Sequence, residues 1–206
     1  NLRDCNFPSK SLAGVGVAFY LMLALRTFLR DQGWFDERGI AIPNLAELLD
    51  LVALGTVADV VPLDANNRIL TWQGMSRIRA GKCRPGIKAL LEVANRDPQK
   101  LAASDLGFAL GPRLNAAGRL DDMSVGVALL LCDNIGEARV LANELDALNQ
   151  TRKEIEQGMQ VEALTLCEKL ERSRDTLPGG LAMYHPEWHQ GVVGILASRI
   201  KERFHR

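Results

Sequence analysis

What this chain of 206 residues does without narrows its reading before any motif is considered. It has no excess of either charge: 25 lysines and arginines cancel 25 aspartates and glutamates. No global positive field therefore advertises a nucleic-acid binder, and any such contact must rest on local clusters. Only four cysteines are present, Cys5, Cys83, Cys132 and Cys167, with no CxxC pair and no short metal-ligand spacing. The secreted disulfide scaffold and the zinc ribbon lose support, and a reducing cytoplasm fits best. The uncharged stretch Ser11 to Leu25 has 15 residues, short of the ~20 that a bilayer span requires, so it reads as a buried helix and no membrane association is expected. There is no starting methionine and no signal-peptide order of basic, apolar and small residues. Walker A, GxSxG and complete dinucleotide fingerprints are also missing, which leaves ATP hydrolysis, esterase and dehydrogenase readings without motif support.

What is present is a core-forming composition, 47% hydrophobic, patterned mostly for helices. Ser9 to about Asp31 is apolar nearly all round and is expected to be buried on several sides, with Gly14 and Gly16 allowing a close backbone approach to another element or to a phosphate near the helix start. Asn44 and Glu47 have capping-box spacing for a helix through about Leu54, and Asp64 can cap another through Arg79. Between them, Gly55 to Leu63 suits a turn or extended connector. Pro85 can open a helix to about Ala94, Ser104 one to Leu110 that Gly111-Pro112 stops, and another covers Ser124 to Leu131. From Asn134 an apolar stripe through Leu141, Leu145, Leu148, Ile155, Met159, Ala163, Leu166 and Leu170 predicts a helix of ~50 Å, the length of a connector between domains. Ser173 to Gly180 reads as a linker, Leu181 to Tyr184 as a strand, and a helix begins near Gln190 or Gly191. That helical pattern is still running when the chain stops, so the chain reads as an excised piece.

Asp59, an acid among apolar flanks that suggest restricted solvation, is the candidate ligand for Mg2+ or Mn2+; capping a turn or pairing with an arginine is the alternative. Arg113 and Arg119, with Asn115 between them, could orient a phosphodiester and stabilise charge on its oxygens. Asp121 and Asp122 offer salt-bridge partners instead. His185-Pro-Glu-Trp-His189 does not match the metalloprotease helix because Pro186 interrupts it. His189 to Gly194 places Gly191 and Gly194 at a helix start, where backbone N–H groups can meet an anion; a tight turn is the alternative. Arg77, Arg79, Lys82, Arg84 and Lys88 form a basic run suited to a nucleic-acid backbone or simply to a solvated face.

Four blocks in order carry a family resemblance: Phe7-Pro-Ser-Lys-Ser-Leu-Ala-Gly-Val-Gly-Val-Ala-Phe19, Gly55-Thr-Val-Ala-Asp-Val-Val-Pro-Leu63, Gly111-Pro-Arg-Leu-Asn-Ala-Ala-Gly-Arg119 and Trp188-His-Gln-Gly-Val-Val-Gly-Ile-Leu-Ala-Ser198. Over essentially the whole chain the sequence resembles the RecJ-type exonucleases of the DHH phosphoesterase superfamily. The resemblance implies a 5′-to-3′ exonuclease on single-stranded DNA in repair and recombination, with Mn2+ or Mg2+ activating water. It implies Asp59 as a metal ligand, Arg113, Asn115 and Arg119 as the active-site block, and His189 near the cleft. Single-stranded DNA is the implied partner, with a single-strand-binding protein or a helicase as candidate protein partners.

The implied fold class is α/β and helix-rich: residues 1–133 as the latter part of a DHH phosphoesterase domain, 134–172 as a long connecting helix, and 173–206 as the start of a second α/β domain of the DHHA1 type. DNA would lie in the cleft between the domains. The family's Asp-x-Asp and Asp-His-His motifs, which furnish most metal ligands, are absent from these residues, as is the glycine- and histidine-rich motif of the second domain. The chain alone is therefore expected to hold a divalent ion weakly and to be inactive. Two alternatives remain: a superfamily phosphoesterase on oligoribonucleotides or cyclic dinucleotides, and a noncatalytic helical interaction fragment.

Overall fold

The structure, a computed structural model, describes residues 6–173 and 180–204. Its principal helices are α1 (Gly14–Asp31), α2 (Trp34–Glu37), α3 (Leu49–Ala58), α4 (Ala65–Arg79), α5 (Pro85–Val93), α6 (Ala103–Asp105), α7 (Gly111–Leu120), α8 (Ser124–Leu131), α9 (Ile135–Ser173) and α10 (Val193–Phe204). Short 3-10 turns cover Leu45–Leu48 and Pro98–Lys100, and a π-helical turn covers Leu106–Leu110. No strand occurs among the described residues, so the helix-rich part of the expectation stands without its β component. The linker expected over 173–180 falls largely outside the described residues. No helix among the described residues is long and apolar enough to cross a membrane.

Two compact units divide the chain: Asn1–Pro112 with Val127–Asn143, and Arg113–Gly126 with Glu144–Arg206. In the first, Phe19, Leu45, Val52 and Leu70 form a core cluster joined by Leu12, Val15 and Leu48. α3 and α4 cross closely at Gly74, where a Cβ would run into the Leu49 carbonyl oxygen; only glycine fits. Asp50 on α3 is fully buried and accepts the backbone N–H of Arg84, at 2.9 Å, at the start of α5. Burial, then the Asp50 charge, pushes the Cys83 thiol above its ordinary pKa, which keeps it protonated and inert.

α1 departs from its expected burial. Val17, Leu21, Leu25 and Phe28 are 43%, 68%, 50% and 62% exposed, because only the opposite side packs against the core cluster. The helix starts five residues later than predicted, and Gly14 has open space where a Cβ would stand, so no close approach occurs there.

Asp64 caps α4 as predicted, accepting the Asn67 N–H at 2.9 Å and the Ser9 hydroxyl at 2.6 Å. The Asn67 amide first, then Ser9, lowers its carboxyl pKa. A depressed folded-state pKa gives stability that is complete above the unfolded value of about 3.9 and is lost as pH falls through the folded one. Asp64→Asn should therefore flatten the decline in urea midpoint between about pH 5 and pH 3. A decline as steep as in the parent would show that the cap does not titrate in this way.

The second unit has its own core of Met159, Ala163 and Cys167 from α9 and Val192, Leu196 and Ile200 from α10 and the turn before it. Leu181 and Met183 pack against it, while Ala182 and Tyr184 face solvent. This is the alternation of a strand without a ladder, since no extended partner lies beside it among the described residues. Asn134 Oδ1 caps α9 by accepting from Gly136 and Glu137, as its spacing predicted.

Candidate functional site

Asp59 sits where α3 ends. The helix runs to Ala58, so Gly55 to Ala58 are helical where a turn or connector was expected, while Asp59 to Leu63 form the turn and connector. The restricted solvation expected of Asp59 is also corrected. Val57 and Ala58 are half-buried at the end of the helix, whereas Asp59 is exposed and so is Val60, at 86%. The next residue is the unusual one. Val60 has φ +56, a left-handed conformation that costs a β-branched residue about 1–2 kcal/mol, and such strain clusters at functional sites.

This turn is fixed from beneath. Asn67, wholly buried, donates through Nδ2 to Ser11 O at 2.8 Å and Pro62 O at 2.9 Å. With Ser9 on Asp64, these bonds draw the Phe7 to Phe19 block against the Gly55 to Leu63 block, with Ser9 and Asp64 55 residues apart in sequence. The π turn Leu106–Leu110 then leads straight into α7, so Gly111-Pro112 does not stop the helix as predicted. Widening the ladder over these residues moves the carbonyls with which a proline ring in a regular α-helix would clash.

The second unit holds the other candidates. Arg113 donates from Nε to Asp146 Oδ1 at 2.7 Å, and its side chain is only 14% exposed. Its partner is thus an acid on α9 and neither Asp121 nor Asp122. Asp122 instead caps α8, accepting from Ser124 N at 3.0 Å and Ser124 Oγ at 2.6 Å; the hydroxyl, then the amide, lowers its carboxyl pKa. Asn115 and Arg119 lie one turn apart on the exposed side of α7.

Arg119 is joined to the turn before α10. Its Nη1 donates to Gly191 O at 2.9 Å, and a Cβ on Gly191 would strike the Arg119 carbonyl oxygen. The Gly191 N–H is not open to an anion as expected, because it donates to His189 Nδ1 at 3.1 Å. With Nδ1 accepting, the neutral ring carries its proton on Nε2, which remains a donor. Gly194, one residue into α10, has open space around it. The structure therefore brings Arg119, His189 and Gly191 together, places Asn115 on the same helix face as Arg119, and gives Arg113 a separate anchor. Asp146 escaped the sequence reading; only its helical position facing a buried arginine reveals its part.

Metal chemistry needs more than these residues supply. No group of three or more histidines, cysteines or acids among the described residues could hold an ion. Asp59 offers one exposed carboxylate where a divalent cation demands several oxygens, so the residues present do not make a metal centre. No nucleophile paired with a base occurs among these candidates either. What the second unit presents is an exposed arginine and amide on α7, with the half-buried His189 joined to that arginine through Gly191.

The chain is 98% identical over all 206 residues to the single-stranded-DNA-specific exonuclease RecJ of Escherichia coli strain K12. To the protein of the same name from Bacillus subtilis strain 168 it is 38% identical over 202 residues, covering 98% of this chain and 23% of that protein. A crystal structure of exonuclease RecJ bound to manganese matches with a TM-score of 0.76 and 34% identity, over 98% of this chain and 47% of that one. The structure of RecJ with Mg2+ from Thermus thermophilus gives 0.74 and 33%, over 98% and 29%. No protein-family model matches the chain. With such identity along its whole length the chain belongs to the RecJ family, as a segment spanning 36% of the length of the Escherichia coli relative.

Proposed function

We propose that this chain is part of a 5′-to-3′ exonuclease that hydrolyses phosphodiesters of single-stranded DNA with Mn2+ or Mg2+, in DNA repair and recombination in the cytoplasm. One observation carries the reading: the 98% identity over all 206 residues to a protein named for that activity. Metal-bound relatives support the cofactor. In this reading Asp59 contributes one metal ligand and the remaining ligands come from sequence outside the chain. Arg119, Asn115 and Arg113 bear on the phosphate, with His189, Gly191 and Gly194 beside it.

The same reading divides the sequence into the latter part of a phosphoesterase domain (1–133), a connecting helix (134–172) and the start of a DHHA1 domain (173–206). It leaves the 206 residues alone inactive for want of ligands. A single-strand-binding protein or a helicase is the protein partner it suggests.

The test is mononucleotide release from 5′-blocked and unblocked single-stranded oligonucleotides with Mn2+, comparing this chain, the full-length protein and its Asp59→Ala variant. Release by the full-length protein alone, lost in Asp59→Ala and prevented by the 5′ block, is the expected result. Release by the short chain would overturn the missing-ligand argument. Full activity of Asp59→Ala would remove Asp59 from the metal site.

A further inference from the structure

The neutral total charge conceals an uneven distribution. From Ala65 to Leu91 the sequence has six basic residues, Arg68, Arg77, Arg79, Lys82, Arg84 and Lys88, and no acid. Several arginines elsewhere sit against carboxylates: Arg96 on Asp105, Arg113 on Asp146, Arg139 on Glu92 and Arg152 on Glu156. None of the six forms an ion pair among the described residues. Two are braced by carbonyl oxygens, Arg68 Nε on Leu63 O at 2.7 Å and Arg79 Nε on Leu101 O at 3.0 Å. A carbonyl orients a guanidinium without neutralising it, while Lys88 lies within the field of Glu92 without forming an ion pair.

An aromatic ring lies within this field. Trp72 is 62% exposed, whereas Trp34 lies under the Arg38 guanidinium and Trp188 donates to Glu162. Arg68, Trp72 and Arg79 follow a helical spacing of four and then seven residues, which keeps them on one face of α4 over ~16 Å. The side with Leu70, Gly74 and Ile78 is buried, and Met75, between Trp72 and Arg79 in sequence, is buried at the edge of the exposed face. Beyond Arg79 the chain turns at Gly81, and the Lys82 N–H bonds back to Arg77 O at 2.9 Å, returning the exposed Lys82 to the end of the same helix.

We propose that this face of α4, with Trp72 flanked by Arg68, Arg79 and Lys82 and continued by Lys88, is a binding track for single-stranded nucleic acid. The cations meet phosphates, and the indole stacks on an unpaired base, the two interactions by which strands are held without sequence preference. A duplex keeps its bases stacked inside and offers the indole nothing. The proposal rests on the single-stranded-DNA reading above and adds a binding region outside the residues assigned to hydrolysis.

The test uses the full-length protein in chelator, with a 5′-blocked oligothymidylate, measuring Kd across salt concentrations. Trp72→Ala should weaken binding about tenfold with an unchanged salt slope, and Trp72→Phe should keep most of the affinity. Lys82→Ala with Lys88→Ala should reduce the slope of log K against log salt by about 1.4, at ~0.7 for each phosphate no longer neutralised. Circular dichroism confirms that each variant remains helical. Wild-type affinity and slope in all variants would overturn the track while leaving the exonuclease reading intact; a wild-type protein that binds no oligothymidylate would overturn both. Loss of binding to a polyglutamate peptide with oligothymidylate binding unchanged would overturn the track and assign the face to an acidic protein segment instead.

Discussion

Arg119→Ala in the full-length protein should slow mononucleotide release by about 10²–10³-fold, the usual loss when one preorganised donor to a developing oxyanion is removed. The expectation follows from how Arg119 is held. One Nη donates to the Gly191 carbonyl, which fixes the plane of the guanidinium, and no carboxylate neutralises it among the described residues. Asn115, one turn earlier, adds an amide to the same exposed face. Arg113 differs, since its short bond to Asp146 and 14% side-chain exposure commit it to the packing of α7 with α9. The two substitutions should therefore separate: Arg119→Ala loses rate at nearly unchanged thermal stability, whereas Arg113→Ala loses stability as well. Arg119→Lys should recover only part of the rate, because an ammonium keeps the charge and loses the planar fork. If Arg119→Ala releases mononucleotides at the parent rate, Arg119 serves only to clamp the Gly191 turn.

The separation of the two arginines was not legible in the sequence, where they read as one phosphate clamp. Six positions apart on a helix they point in different directions, and the acid that claims Arg113 lies 33 residues away. Caps were legible because they are local: Asp64 and Asn134 accept from amides two or three residues on, and Pro85 opens α5 as its first residue. Burial was not. Apolar flanks led to an enclosed Asp59, yet the acid stands just past the helix end, where it and the neighbouring Val60 both face solvent. Uniform apolarity likewise made α1 look enclosed, although a sequence names the residues that could be covered and not the surface that covers them. The π turn before Pro112 needed the backbone itself, since Gly-Pro also stops helices. Sequence blocks far apart were recognisable one by one; that Phe7 to Phe19 meets Gly55 to Leu63, and Arg119 meets Gly191, emerges only from folding.

The largest stability effect is expected at Glu156, which no motif marks. Its side chain is 13% exposed and receives Arg152 Nη1 at 2.6 Å and Arg199 Nε at 3.2 Å, joining one turn of α9 to α10. Arg152 is equally buried, and its Nε donates to Asn149 Oδ1, itself 2% exposed. This polar layer runs beside the apolar stripe of α9, which skips a turn between Leu148 and Ile155. Removing the acid strands a guanidinium in a poorly solvated place, and breaking a buried pair from one side costs about 3–5 kcal/mol. Glu156→Ala should therefore lower the urea midpoint markedly and speed amide exchange along α9 and α10 by about 10²–10³-fold. Glu156→Gln, which keeps the shape and an acceptor, should lose less. Replacing both partners, Arg152→Met with Glu156→Leu, should recover much of the loss, because an apolar pair of similar volume leaves no charge to desolvate. Equal destabilisation by Glu156→Ala and by the double replacement would show that packing at this turn, and not the stranded charge, sets the cost.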